Sequence, residues 1–268
     1  MRVSILGCGW FGRALATALI AKGITVKGST TNSERLQELA ALGIKPYLVN
    51  FPGEQDNNPD FFDCDTLVVS IPPKFRKGEA EAFIPKIESI ISAITRSGIK
   101  QVIYTSSTGV YGDHQGIVNE LNEPKPEDES GRLLLHAEQA FQNQAGFKTT
   151  VIRFAGLVGP GRHPGRFFAG RKAVPNGSSP VNMVHLDDAV GIAVAVMEKA
   201  AWGQVFNACA PSHPARAQFY TRFSRELNLP LPEFENGAAN LKTIESVNVP
   251  TILGYRYKYD NWLNVVLG

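Results

Sequence analysis

The first twenty-three residues, MRVSILGCGWFGRALATALIAKG, constrain the fold more than any other stretch of the chain. Residues 3–6 are an apolar run too short for a helix and suited to a strand buried on both faces. Residues 13–22 repeat apolar side chains at helical spacing and stop at Gly23. Between them GCGWFG spells GxGxxG over residues 7–12. Each glycine of such a turn has its own task. Gly7 permits the tight turn, Gly9 lets the backbone approach a pyrophosphate, and Gly12 lets the helix lie close on the strand while its amino end faces the anion. The spacing points to dinucleotide binding; a turn serving packing alone, or another adenosyl ligand, is the alternative. The same stretch superficially resembles a secretory signal. Arg13 and the glycines at 7, 9, 12 and 23 interrupt its apolar run, however, and the strand–turn–helix reading accounts for all of it.

Apolar runs alternate with helical patterns over most of the length. Strands are expected at residues 24–27, 48–51, 66–71, 100–106, 149–154 and 204–208. Helices are expected at 33–42 (capped by Asn32), 79–97, 130–144 and 186–199, the last with Asp187 and Asp188 in its first turn, where the helix dipole favours carboxylates. Repeated strand–helix alternation implies parallel strands with crossovers on both faces: an α/β fold with a Rossmann-type, doubly wound parallel sheet. Residues 156–180, rich in Gly, Pro and Arg, and residues 211–268, with more prolines, break the rhythm. The expected organisation is a dinucleotide-binding core over 1–160, completed by 181–210, and a small C-terminal substrate-side lobe from 161–180 and 211–268.

With 43% apolar residues over 268 positions there is material for a full core, and a net charge of +2 without long basic runs gives no reason to expect nucleic acid. Cys8, Cys64 and Cys209 are scattered and odd in number, which suits a reducing, cytoplasmic compartment better than a disulfide framework. No ligand spacing suggests a metal, and no apolar run is long enough to span a membrane.

The end of the second strand chooses between NAD and NADP. An NAD site usually places Asp or Glu there, for the ribose 2′-hydroxyl. This chain has Gly28-Ser29-Thr30-Thr31-Asn32-Ser33 and then Arg35, with no carboxylate before Glu34. Hydroxyls, backbone N–H groups and a guanidinium suit a 2′-phosphate, so Ser29, Thr30 and Arg35 favour NADP over NAD; a solvated turn with Arg35 on the surface is the alternative. Trp10 and Phe11 between the glycines, Pro72 after the fourth strand and Ser106 at the end of the fifth complete the candidate cofactor contacts.

GCGWFG, TSSTGVYG, RFAGLVGPGR and VNMVHLDDAV occur in this order and at intervals that resemble the extended short-chain dehydrogenase/reductases, which include sugar-nucleotide epimerases and dehydratases. GLVGPGRHPGRFFAG and ACAPSHPAR are closer still to their YeeZ-like atypical branch. The resemblance covers nearly the whole chain and implies an NAD(P)-binding protein of epimerase, dehydratase or reductase type, often a homodimer in that family. It also implies that Ser107, three residues before VYG, polarises a substrate. The family's Tyr-x-x-x-Lys is missing: no tyrosine here has a lysine four residues on, and aligning on Glu138 puts Ser130 and Leu134 at the two positions. The glycine motif departs as well, since the family's GxxGxxG would begin at Leu6. Tyr111, Arg132 and His136 are the candidate substitutes. An arginine serves only to hold an anion or a ribose, a tyrosine needs a neighbouring cation to act as an acid, and a histidine titrates in the useful range. Each has a plain alternative: an ion pair with Glu129 or nearby carboxylates for Arg132, packing for Tyr111, a surface position for His136. The loop GPGRHPGRFFAGRK gathers Arg162, Arg166 and Arg171, whose guanidiniums suit a small anionic substrate such as a nucleotide sugar, or else a solvated loop or subunit contact. His185, before Asp187 and Asp188, is a candidate substrate contact or a structural histidine. The alternatives for the whole protein are an NADP-dependent enzyme and a non-catalytic NADP-binding sensor or regulator.

Overall fold

The opening strand, glycine turn and helix form where their pattern requires. In a computed structural model of the chain, which describes residues 1–52, 58–71, 80–237 and 242–267, β1 (Arg2–Leu6) leads through the turn into α1 (Trp10–Ile20). There follow β2 (Thr25–Thr30), α2 (Leu36–Ala41), β3 (Lys45–Leu48), α3 (Pro59–Phe62), β4 (Thr66–Val69), α4 (Ala80–Ser97) and β5 (Gln101–Ser107). The remainder comprises β6 (Ile117–Val118), α5 (Glu129–Gln142), β7 (Lys148–Phe154), β8 (Gly156–Val158), β9 (Met183–His185), α6 (Leu186–Glu198), β10 (Val205–Ala208), α7 (Arg216–Glu226), β11 (Thr243–Ile244) and α8 (Asn248–Ile252). Among the described residues no helix is long and apolar enough to cross a membrane.

Seven strands make one parallel sheet in the order β10-β7-β5-β4-β1-β2-β3. Val3 pairs with Val26 on one side and Thr66 on the other, so β1 lies between β2 and β4. The chain lays β2 and β3 outward from β1, then returns to the other edge of β1 with β4. This reversal is the topological switch point, beyond which open α/β sheets hold their ligands. The doubly wound sheet expected from the alternation is present. One strand is displaced from its expected place: β3 runs Lys45–Leu48, not 48–51. It contains Pro46, which cannot donate to a ladder; β3 escapes that penalty as the terminal strand of the order.

The chain divides into two compact units, Met1–Ser107 with Asp128–Arg153 and Ala193–Val205, and Thr108–Glu127 with Phe154–Ile192 and Phe206–Gly268. Residues 108–127, 154–160, 181–192 and 206–210, which the sequence reading gives to the dinucleotide-binding core, fall in the second unit.

The first unit packs Ile87, Ile90 and Ile94 of α4 and Phe141 of α5 with Leu67 and Val102 from the sheet. It also buries a charge. Lys27 on β2 is 6% exposed, and its ammonium donates to the Asp60 carboxylate at 3.1 Å, to the Asp63 carbonyl at 3.0 Å and to the Asp60 carbonyl. Lys45 (2.7 Å) and the Tyr47 hydroxyl donate to the same carboxylate. These donors, Lys45 first, hold the Asp60 carboxyl well below the usual carboxylate range. A carboxylate of depressed pKa contributes its full share of stability above its unfolded value, about 3.9, and loses it as pH falls from there toward the folded value. Asp60→Asn is therefore expected to lower the urea midpoint at pH 7, with the gap from wild type closing below about pH 4. An equal gap at pH 7 and pH 3 would show that the lost shape of the side chain, not its charge, is responsible.

The second unit has its own aromatic centre, where Phe219, Tyr220 and Phe223 of α7 meet Trp262 and Val158. α7 lies inside the stretch read from sequence only as a mixed pattern. Its apolar residues are outnumbered by arginine and polar residues, and its amphipathic face is narrow. Two short parallel pairs, β8 with β9 and β6 with β11, belong to this unit. Asp188 of α6 is fully buried and accepts hydrogen bonds from the Tyr255 hydroxyl (2.9 Å) and the N–H groups of Lys258 (2.8 Å) and Tyr259 (3.1 Å). It thereby ties the C-terminal segment to α6.

Candidate functional site

A cavity of about 250 Å³ opens in the first unit at the switch point. Leu6, Gly7, Cys8 and Gly9 line it from the β1–α1 turn, and Ser29, Thr30, Thr31 and Arg35 from the end of β2. Val49, Phe51, Ser70 and Ile71 come from the ends of β3 and β4, and Lys86 comes from α4. The glycines perform the tasks their spacing assigns. Gly7 has φ +97°, and a Cβ there would collide with the carbonyl oxygen of Ser70, whose N–H donates to Leu6 at 2.8 Å. A Cβ on Gly12 would come within 2.6 Å of the Gly7 carbonyl oxygen and 3.2 Å of Ile5, so only glycine lets α1 lie this close to β1. A Cβ on Gly9 would meet nothing within 4 Å. Gly9 is also the N-cap of α1. Open space on the cavity lining beside a helix amino end is where a pyrophosphate belongs. The chain's own residues thus fit an NAD(P) group.

The hydroxyls at the end of β2 are less free than the sequence suggests. The Ser29 hydroxyl accepts the Gly7 N–H at 2.9 Å, and its carbonyl accepts the Cys8 N–H at 2.8 Å. Ser29 therefore holds the glycine turn, with one hydroxyl proton left to donate. Thr30 Oγ1 accepts the Asn32 N–H at 3.1 Å, and Asn32 caps the next turn by accepting from the Glu34 N–H at 2.9 Å. Arg35 reaches the lining while it donates to the Cys8 carbonyl at 3.4 Å and lies 3.6 Å from Glu38, a carboxylate that Arg13 approaches to 3.7 Å. Burial pushes the Cys8 thiol up to about 12, with Arg35 opposing, so it stays neutral. No carboxylate is among the described lining residues.

The other candidates sort by where they lie. Trp10 is half-buried and outside the described lining, and the Phe11 side chain is buried in the core, so only its backbone remains to serve a cofactor. Pro72 lies outside the described residues. Ser106 at the end of β5 is buried, and its hydroxyl has no hydrogen-bond partner among the described residues, which leaves a polar atom for a bound group. Ser107 beside it is half-buried. Arg132 and His136 share the exposed face of α5. Leu134, at the position where the family has its lysine, is buried.

In the second unit, Tyr111 is 1% exposed, and its hydroxyl donates to the Asn119 carbonyl (3.0 Å) with Asn207 Oδ1 at 3.2 Å. His185 lies in the same unit. It is buried, its Nδ1 accepts the Asp187 N–H at 3.1 Å, and its ring stacks on Tyr259 at 3.7 Å. Burial lowers its pKa against the pull of Asp187 and Asp188. Through the Asp187 N–H it holds the first turn of α6. Arg162, Arg166 and Arg171 are exposed, and the guanidinium of Arg171 lies over the Phe168 ring, 5.5 Å from its centroid. Phe168 packs on Tyr220 at 4.7 Å, which explains an aromatic residue in so polar a loop. Leu6, Cys8, Val49, Phe51, Ser70, Ile71 and Lys86 also line the cavity without having been singled out from sequence, as does Thr31 beyond its place in the hydroxyl stretch; a lysine within a long amphipathic helix reads as solvated.

A family model described as NAD(P)H-binding matches residues 7–184. Protein YeeZ of Escherichia coli K12 is 38% identical over 266 residues, covering 97% of each chain. A functionally unknown conserved protein from Silicibacter pomeroyi superposes with a TM-score of 0.78 at 25% identity, covering 97% of this chain and 95% of the other. UDP-glucuronic acid 4-epimerase from Bacillus cereus, solved with UDP-glucuronic acid and NAD, superposes with a TM-score of 0.78, covering 96% of this chain and 94% of the other. At 17% identity that last likeness speaks for the fold alone.

Proposed function

This chain belongs to the NAD(P)H-binding family within the short-chain dehydrogenase/reductase superfamily, and from that premise we propose that it is an NADP-dependent, epimerase- or reductase-like protein acting on a small anionic metabolite of the nucleotide-sugar kind. The observation that carries the reading is the cavity at the switch point: a glycine turn for the pyrophosphate, Arg35 at the end of β2, and no acidic residue in the described lining to hold a bare ribose 2′-hydroxyl. When bound, the cofactor supplies the hydride. Ser107 and Ser106 at the end of β5 are the hydroxyls proposed to hold the reacting group, with Arg132 as a further anion contact on α5. Arg162, Arg166 and Arg171 are exposed on the second unit, and their guanidiniums suit an anionic metabolite.

A second reading keeps the cofactor site without turnover, as a redox-responsive regulator. It is favoured by the sequence, which has no Tyr-x-x-x-Lys, and by the burial of Tyr111. Both readings expect tighter binding of NADPH than of NADH in a calorimetric titration, and Arg35→Ala is expected to weaken NADPH about tenfold while sparing NADH. Equal affinities in the wild type would sink the NADP assignment. Turnover of any nucleotide-sugar or carbonyl substrate with NADPH separates the enzyme from the regulator.

A further inference from the structure

We propose that Lys86 on α4 is a second cation for the adenosine 2′-phosphate, acting with Arg35 to select NADP(H); the inference rests on the NADP reading of the same cavity. Arg35 alone is poorly suited to the task. Its guanidinium already donates to the Cys8 carbonyl and lies 3.6 Å from Glu38, which offsets part of its charge. A phosphate monoester carries between one and a half and two negative charges near neutral pH, roughly, so one partly neutralised guanidinium leaves it under-compensated. The cavity has a second cation. Lys86 reaches the described lining from α4, whereas Arg35 comes from the turn after β2. Lys86 is half-buried, and no carboxylate among the described residues lies within ion-pair distance of it, although Lys22, Lys27, Lys45, Lys125, Lys172 and Lys242 each have such a partner. A half-buried ammonium with no counter-charge among the described residues, in a cavity whose described lining has no carboxylate, is an arrangement that an anionic ligand would complete.

The other anionic part of the cofactor, the pyrophosphate, has its own provision. The turn at Gly7 and Gly9 and the amino end of α1 offer backbone groups and the positive end of the helix dipole. Among the described lining residues two cations, Arg35 and Lys86, remain for the one group that distinguishes NADP from NAD. Lysine suits this site as a compact, mobile point charge, whereas Arg35 provides a planar fork.

The experiment titrates NADPH and NADH into wild-type protein and into the variants Lys86→Met and Lys86→Arg, with 2′,5′-ADP as a third probe, by calorimetry. Lys86→Met is expected to weaken NADPH and 2′,5′-ADP about tenfold and leave NADH unchanged, and Lys86→Arg to stay near wild type. A wild type that prefers NADPH while Lys86→Met leaves NADPH binding intact overturns the assignment of Lys86 and spares the NADP reading. An equal loss for NADPH and NADH also overturns it, by placing Lys86 on a part common to both. A wild type that binds NADH as well as NADPH overturns the NADP reading itself, and the role of Lys86 with it. Circular dichroism of each variant keeps loss of binding apart from loss of fold.

Discussion

Arg153→Met is expected to cost the protein about 3–5 kcal/mol. Glu138 on α5 is fully buried and Arg153 near the end of β7 is 5% exposed. The guanidinium Nε lies 3.1 Å from both carboxylate oxygens, and one terminal nitrogen is 2.6 Å from Oε2. Two charges taken out of water recover the cost only through each other and through good hydrogen-bond geometry. Removing one strands the other. Glu138→Leu should therefore destabilise as well, and the double variant Glu138→Leu with Arg153→Met should lose less than the sum of the two single changes, because no orphan charge remains. Urea denaturation of the four proteins measures the coupling. Single losses under about 1 kcal/mol, as for an exposed pair, would mean that water reaches this site in solution.

The same pair shows where a sequence speaks and where it falls silent. Glu138 stands out by its place on an amphipathic helix, but its partner is fifteen residues on, within an apolar strand, and nothing local to Arg153 announces a buried arginine. The opening turn is legible because its strand, glycines and helix are contiguous, and the meaning of each glycine follows from backbone geometry over six residues. Arg35 is legible for the same reason. Ser29 and Thr30 are visible as hydroxyls at the right place, yet which hydroxyl is already spent depends on the Gly7 and Asn32 N–H groups they meet. Lys86 reaches the cavity only through the folding of α4, fifty-one residues beyond Arg35 in a helix of ordinary amphipathic pattern. Proximity of Tyr111 to Ser107 along the chain does not reveal that the tyrosine hydroxyl donates to Asn119. β3 includes Pro46, a residue that argues against a strand unless the strand is known to be an edge, and edge position belongs to the assembled sheet.

Gly9→Val and Gly12→Val should fail in opposite ways, and this contrast is the sharpest test of the cavity. Gly9 has φ −76°, which any L-residue adopts, and space around its missing Cβ. Valine there leaves the strand–helix packing untouched and fills the place of a pyrophosphate approaching the turn. The fold should persist, with a melting temperature within about 4 °C of wild type, the change that 1 kcal/mol would give. Nucleotide affinity should fall on the order of a hundredfold, for NADPH and NADH alike, since both carry the pyrophosphate. Gly12 has no such room: its Cβ would press on the Gly7 carbonyl and on Ile5, both fixed parts of β1 and the turn. Valine there must push α1 off the sheet and is expected to cost about 1–3 kcal/mol by overpacking, seen first as a fall in melting temperature. Thermal melts and calorimetric titration of both variants give four numbers. Retained nucleotide binding by a folded Gly9→Val protein would move the pyrophosphate away from the glycine turn and remove the central support for a dinucleotide in this cavity.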